Sequence, residues 1–161
     1  MLRSLLWIIN SCSSHVIAVS QAIEKQYREW SFGKCKHLHT VYLGTPLRKP
    51  CYTREEARRI TNIPKDAKVL VNVSAIEPIK GIDIAIRALA ELKSRGYDFL
   101  FVHIGGLRSE TAEHRAYEDW LHALAKEQGV EDRIVWLGHR NDVQDILPIG
   151  DIYIHPSRNE G

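Results

Sequence analysis

The feature that most constrains the fold is an alternation of short apolar runs with helix-like segments between residues 68 and 155. Each run is nearly continuous in Val, Ile, Leu or Phe, which is typical of strands that are buried on both faces. The four runs are Lys68–Val73, Phe99–Ile104, Ile134–Leu137 and Asp151–His155. Strands that alternate with helices pair in parallel through right-handed crossovers. The pattern therefore predicts an α/β fold with a doubly wound, Rossmann-like parallel sheet.

The segments between these runs carry helix signals. After the first run, apolar residues recur at helical spacing and Gly96 is placed to end the helix. A second helix is predicted by Ala116, Trp120, Leu121 and Leu124, and Gly129 is placed to end it. Asn141 is placed to cap a short third helix.

The first third of the chain is less regular. The runs His15–Val19 and His39–Leu43 predict two short strands. Ser20 is placed to cap a helix, and Thr53–Glu56 fits a capping box for another that stops near Asn62. The apolar run at residues 2–9 is shorter than the roughly 20 residues of a membrane span, so we expect a core helix or a strand end there.

Composition excludes several classes of protein. With 44% hydrophobic and 26% charged residues, the composition is that of a globular protein. The net charge of +2 gives no indication of a nucleic-acid partner. Its three cysteines have no CxxC spacing, which favours a reduced, cytosolic chain.

The motifs of P-loop ATPases, dinucleotide-binding enzymes and serine hydrolases are absent. His37 and His39 share a strand face without further ligands at zinc spacing, so we interpret them as surface or packing residues.

Four loops follow the predicted strands, and parallel pairing brings them to the one edge of the sheet where such folds bind ligands. The candidate ligand-binding residues on these loops are Lys80, Arg108, His139, Arg140, Arg158 and Glu160. Each alone is explained by a solvated loop charge, but several cations at one cleft favour a phosphate or diphosphate. A carboxylate there is suited to accept hydrogen bonds from sugar hydroxyls.

Three segments of the chain carry a family resemblance. In order and spacing, Val69–Asp83, Arg133–Val143 and Asp151–Gly161 resemble the C-terminal domain of the group 1 (family 4) retaining glycosyltransferases, which have the GT-B fold. The resemblance implies that residues 1–31 are the end of an N-terminal domain with its crossover, and that residues 32–161 are a partial nucleotide-sugar-binding domain. The turn that the family usually builds from Asn-Gly-Val-Asp is replaced here by residues 43–46, Leu-Gly-Thr-Pro.

The resemblance also assigns roles to single residues. Lys80 matches a lysine that contacts the donor diphosphate, and Gly138, His139 and Arg140 match a loop that holds the nucleotide base. Glu160 matches the first glutamate of the family's E-x7-E motif, which contacts the donor sugar. The second glutamate of that motif falls after residue 161, and Ala75 stands where the family usually has an arginine.

The function implied is transfer of a hexosyl unit from a UDP- or GDP-sugar to a saccharide or lipid-linked acceptor. The resemblance implies a retaining reaction without metal or other cofactor, in cytoplasmic polysaccharide biosynthesis, and it leaves peripheral membrane association of the parent open. We expect the chain to be a fragment with the donor half-site alone, inactive and prone to self-association. Two alternatives are a non-catalytic nucleotide- or phosphosugar-binding module and a sugar epimerase of GT-B fold.

Overall fold

The computed structural model of the protein describes residues 2–31, 35, 37–46 and 48–159, with the backbone alone for residues 2–4. The described residues form two compact units, which divide between residues 46 and 48. This division does not assign either unit to a domain of the parent enzyme. The assignment of residues 1–31 and 32–161 to two domains therefore stays a prediction.

The first unit is a pair of parallel strands with two helices. Its elements are α1 (Leu2–Cys12), β1 (Val16–Ala18), α2 (Gln21–Trp30) and β2 (Leu38–Thr40). As predicted, Ser20 caps α2, because its side chain accepts a hydrogen bond from the backbone N–H of Ile23. Val16 pairs with Leu38 in the register of the two strands. The second strand ends at Thr40, three residues before its predicted end.

The apolar N-terminal run is a helix, so of the two predicted structures the strand end is wrong. Within α1, Leu6 is buried whereas Trp7 is 70% exposed. No helix among the described residues has both the length and the apolar character needed to cross a membrane.

The second unit is the predicted doubly wound sheet. Its strands are β3 (Val69–Val73), β4 (Leu100–Ile104), β5 (Ile134–Trp136) and β6 (Ile152–Tyr153). Its α-helices are α3 (Arg54–Ile60), α4 (Ile82–Ser94), α5 (Ala112–Glu127) and α6 (Val143–Ile146). The strands are all parallel in the order β5-β4-β3-β6. The last strand, β6, lies beside β3.

Each face of this sheet has its own apolar core, because successive residues of a strand point to opposite faces. On one face, Phe101 packs with Ile86 of α4 and Leu121 of α5. On the other face, Val102 packs with Ala57 of α3 and other residues that include Ile146 of α6. Helices therefore cover both faces, as a parallel sheet requires.

Most predicted helix ends are confirmed. Thr53 and Glu56 form the predicted capping box at the start of α3, which ends before Asn62. Gly96 and Gly129 follow α4 and α5 with positive φ angles, the conformation in which glycine ends helices.

The predicted helix α5 is confirmed, whereas the cap predicted for the short third helix is wrong. The short α6 is preceded by Asp142 at its N-cap position, not by Asn141, and the Asp142 carboxylate binds Arg140 instead of capping. On α5, Ala116 and Trp120 are exposed, and Trp120 stacks on Tyr117 at a centroid distance of 5.5 Å. The buried stripe contains Leu121, Leu124 and Ala125, and Trp120 lies one position away from it, about 100° around the helix.

The amino-terminal edge of the sheet is fixed by a buried arginine. Arg58 of α3 is only 3% exposed, and its guanidinium donates to the Ile149 carbonyl at 2.9 Å and to the Asp151 carboxylate at 3.2 Å. Asp151 also accepts from the Val69 backbone N–H at 2.8 Å, which holds the pKa of that carboxyl below its ordinary value. This network ties the start of β6 to the start of β3.

At the opposite edge, Gly81 lets two loops touch. It has φ +65° and ends the 3-10 turn Pro78–Lys80 just before α4. A Cβ atom on Gly81 would overlap the Pro156 carbonyl oxygen, which belongs to the loop after β6. The close approach of these loops therefore requires glycine at this position.

We predict that Gly81→Ala destabilises the chain more than Gly129→Ala does. Gly129 has φ +64° and open space around its Cβ position, so alanine there costs only the left-handed backbone, about 1–2 kcal/mol. At Gly81 the overlap adds roughly 1–3 kcal/mol. Urea denaturation of both variants measures the difference, and equal losses would contradict the close contact.

The strand β6 generates a second prediction. Among the described residues it pairs only with β3, and Ile152 is 57% and Tyr153 51% exposed. The next residue, Ile154, packs against the core under α4 and α5. An exposed apolar edge strand invites pairing with another chain.

We therefore expect the 161-residue chain to self-associate, and Ile152→Lys to shift it toward monomer. Tyr97→Lys is the matched control, because Tyr97 is 62% exposed but lies in the turn after α4. Sedimentation velocity at several concentrations measures the effect. A monomer at every concentration, or equal shifts from both variants, would refute this expectation.

Candidate functional site

The loops after β3, β4 and β5 enclose a cavity of about 420 Å³ at the carboxyl edge of the sheet. Its lining residues come from the ends of these strands and from the loops that follow them. They are Val73, Ser74, Ala75, Ile104, Gly105, Gly106, Leu107, Arg108, His139, Arg140 and Val143. The sequence-based expectation that these loops meet is confirmed.

Backbone contacts hold the three loops together. The Ile76 N–H donates to the Gly106 carbonyl at 2.9 Å, and the Gly105 N–H donates to the Gly138 carbonyl at the same distance. Gly105 has φ +144°, and a Cβ atom there would overlap the Ser74 carbonyl oxygen. Main-chain contacts therefore join the three loops around the cavity.

Two arginines bring positive charge to the cavity. Arg140 donates to both carboxylate oxygens of Asp142, at 2.8 and 2.7 Å, and this pairing holds the pKa of Asp142 below its ordinary value. Arg108 is 73% exposed at its side chain and lies 3.3 Å from the Glu77 carboxylate. The Asp142 carboxylate thus offsets the charge of Arg140 at close range. Arg108 has one longer contact, with Glu77, at the surface.

Two of the three residues predicted for base binding line this cavity, and Gly138 precedes them. His139 and Arg140 line it directly, and the Cβ of His139 is 3.4 Å from the position that a Cβ on Gly106 would take. Gly138 has φ +65° and gives its carbonyl to the contact with Gly105. The structure therefore brings this segment together with the loops after β3 and β4.

Lys80 lies in the adjoining turn and does not line the 420 Å³ cavity. It ends the turn Pro78–Lys80, where its backbone N–H donates to the Glu77 carbonyl at 3.0 Å. Glu160, predicted to contact a donor sugar, is outside the described residues. Arg158, also grouped with the anion-binding cations, instead forms an ion pair with Asp83 at the start of α4.

Sequence reasoning missed a set of buried hydrogen bonds that joins neighbouring strands near this edge. Asn72 donates to the Ile154 carbonyl at 2.9 Å, and its side-chain oxygen accepts from Ser74 at 2.9 Å and from Nδ1 of His103 at 3.0 Å. Burial lowers the pKa of His103 to about 4, so its imidazole is neutral near pH 7. The signal was one polar residue in each of two apolar strands, which the register places side by side.

The histidines of the first unit form a separate cluster. The rings of His37 and His39 each lie 5.2 Å from that of His15, and Nδ1 of His15 is 3.1 Å from Nε2 of His39. Within the described part of the chain, no three His, Cys, Asp or Glu side chains are arranged to hold a metal ion.

A family profile with the description "Glycosyl transferases group 1" matches residues 53–161. Among curated relatives, the D-inositol 3-phosphate glycosyltransferase of Stackebrandtia nassauensis is 32% identical over 110 residues, covering 65% of this chain and 24% of that protein. The lipopolysaccharide core biosynthesis mannosyltransferase LpcC of Rhizobium leguminosarum bv. viciae is 38% identical over 82 residues, covering 51% of this chain and 22% of that protein. The chain thus spans about a quarter of the length of these relatives.

The fold is similar to that of Anabaena Alr3699/HepE, which was solved in complex with UDP and glucose. The TM-score is 0.81 at 23% identity, over 97% of this chain and 41% of that one. This likeness confirms the expected fold, while the profile match extends over more than half of the sequence, from α3 to the last residue. The chain belongs to the group 1 family of glycosyl transferases.

Proposed function

We propose that the chain carries the donor half-site of a hexosyltransferase that uses a UDP- or GDP-sugar and a saccharide or lipid-linked acceptor. The observation that carries this proposal is the 420 Å³ cavity, which lies where three parallel strands end and is lined by two arginines. Its volume is within the range of small-molecule sites. The Anabaena structure named above holds UDP and glucose, which supports a nucleotide sugar as the ligand class.

In this proposal each loop has a separate task. The segment 138–140 holds the base, since Gly138, His139 and Arg140 follow β5 at the edge of the cavity. Lys80, in the turn next to the cavity, binds the diphosphate through a charge-assisted hydrogen bond. Glu160 accepts hydrogen bonds from hydroxyl groups of the donor sugar.

The chemical contribution of the half-site is electrostatic. When the sugar leaves, negative charge grows on the departing diphosphate, and a fixed cation stabilises that charge more than it stabilises the bound donor. Lys80 and Arg108 supply positive side chains at this edge, so we propose that no metal or other cofactor is needed. We also propose that the configuration at the anomeric carbon of the sugar is retained, because the family that the chain resembles is a retaining one.

Transfer also requires an acceptor held in reacting geometry. The described residues provide one side of such an arrangement, and we propose that the isolated chain binds nucleotide without turnover. The family membership favours this transferase half-site over the epimerase and over an unrelated binding module.

The cysteines bear on the cellular location of the parent enzyme. Cys12, Cys35 and Cys51 are all unpaired, which fits a reducing compartment. We propose that the parent enzyme acts in the cytoplasm, at saccharide or lipid-linked acceptors of polysaccharide biosynthesis.

The central test is calorimetric titration of the 161-residue chain with UDP, GDP and uridine. We expect Lys80→Ala to weaken binding of the matching diphosphate about 10- to 100-fold, because a charge-assisted hydrogen bond contributes roughly 1.5–3 kcal/mol. Uridine has no phosphate, so its affinity should not change.

The control is Lys126→Ala, which removes an exposed lysine from the last turn of α5. Equal diphosphate affinity in the Lys80 and Lys126 variants would refute the role of Lys80. Absence of binding for every nucleotide would refute the half-site itself.

A further inference from the structure

One arginine after β6 joins two elements that lie more than 70 residues earlier in the chain. Nη1 of Arg158 donates to Oδ1 of Asp83 at 2.9 Å, and Nη2 donates to Oδ2 at 2.5 Å. Such a two-pronged pair fixes the relative orientation of both groups. Asp83 is the second residue of α4 and is buried, with 8% of its surface exposed.

The same arginine also holds the turn that carries Lys80. Its backbone N–H donates to the Ile79 carbonyl at 2.8 Å, and Nη1 donates to the Pro78 carbonyl at 2.5 Å. Thus Arg158 contacts the turn Pro78–Lys80 twice and the start of the next helix through both carboxylate oxygens of Asp83.

The surroundings of the pair favour its charged form. Arg158 holds the pKa of Asp83 below its ordinary value, and the Tyr117 hydroxyl of α5 lies 3.4 Å from Oδ1 of Asp83. Burial raises the pKa of Tyr117 to about 12, so this neighbour is uncharged at neutral pH. An acidic residue in the first turn of a helix is also favoured by the helix dipole.

We propose that Asp83 and Arg158 are a positioning pair, which fixes the Lys80 turn against the loop after β6 and so sets the diphosphate subsite. The inference rests on the proposed function, which it extends by two residues that act through Lys80. A lysine on a fixed turn loses less conformational freedom when it binds an anion, so breaking the pair weakens binding of the diphosphate. The base is held by a different loop, and its binding does not depend on the pair.

The experiment compares Asp83→Asn, Arg158→Met and the double variant in the 161-residue chain, with UDP and uridine as probes. We expect each single variant to weaken UDP binding about tenfold, and uridine binding by less than about twofold. The double variant should bind UDP no more weakly than Arg158→Met does, because both changes break the same ion pair. Arg158→Lys, which keeps the charge but cannot form both hydrogen bonds, should lie between wild type and Arg158→Met.

A direct phosphate contact by Arg158 predicts a different pattern. Asp83→Asn would then release the guanidinium and leave UDP binding unchanged or stronger, while Arg158→Met would weaken it. That result would overturn the positioning role. A purely structural pair predicts a lower free energy of unfolding with an unchanged ratio of UDP to uridine affinity, and that result would overturn it as well.

The matched control is the exposed ion pair at the other end of α4, where Arg95 and Glu91 are 2.8 Å apart. Glu91→Gln should leave both affinities unchanged. If the wild-type chain binds neither UDP nor GDP, the proposed function fails and takes this inference with it. If it binds GDP alone, GDP and guanosine replace UDP and uridine as the probes. If the wild-type chain binds UDP and Asp83→Asn binds it equally well, only the positioning pair is refuted.

Discussion

The structure depends on a close approach of main chain at the carboxyl edge of its parallel sheet. At Gly105 the chain passes so near the Ser74 carbonyl that no side chain fits, and at Gly81 it does so near the Pro156 carbonyl. Parallel pairing places these loops side by side, but only glycine allows them to touch. The cavity, the segment 138–140 and the Lys80 turn all take their positions from these contacts.

Charge at this edge is organised by pairing. Arg140 is offset by Asp142 and Arg158 by Asp83, each through two short hydrogen bonds. A paired arginine keeps its position, whereas its partner carboxylate reduces its attraction for a second anion. A convergence of cations in a sequence therefore does not assign them all to ligand binding. Arg158, for example, contacts the carbonyl groups of the turn Pro78–Lys80 instead.

The sequence was sufficient to predict the sheet, because apolar runs and helical periodicity depend on neighbouring residues. The capping box of α3, the Ser20 cap and the glycine ends of α4 and α5 were predicted for the same reason. Long-range contacts were not predictable in this way. Nothing in the sequence near Arg158 points to Asp83, which is 75 positions away, and the pairing of Asn72 with His103 became visible only through the strand register.

Local rules also failed where two of them competed for one residue. Asn141 has a capping side chain, but the helix begins one residue later, and the carboxylate of Asp142 is taken by Arg140. Trp120 is apolar, but it lies at the border of the buried stripe of α5 and stacks on Tyr117 at the surface. In both cases the deciding contact joins residues no more than three positions apart in the chain.

The most direct test of the central claim is a nuclear magnetic resonance titration of the chain with UDP, in which each backbone amide reports its own environment. The account predicts that the amides of Gly105, Gly106 and His139 shift together with that of Lys80 as UDP saturates one site. Shifts confined to the first unit, for example around His15 and His37, would contradict a donor site at the carboxyl edge of the sheet.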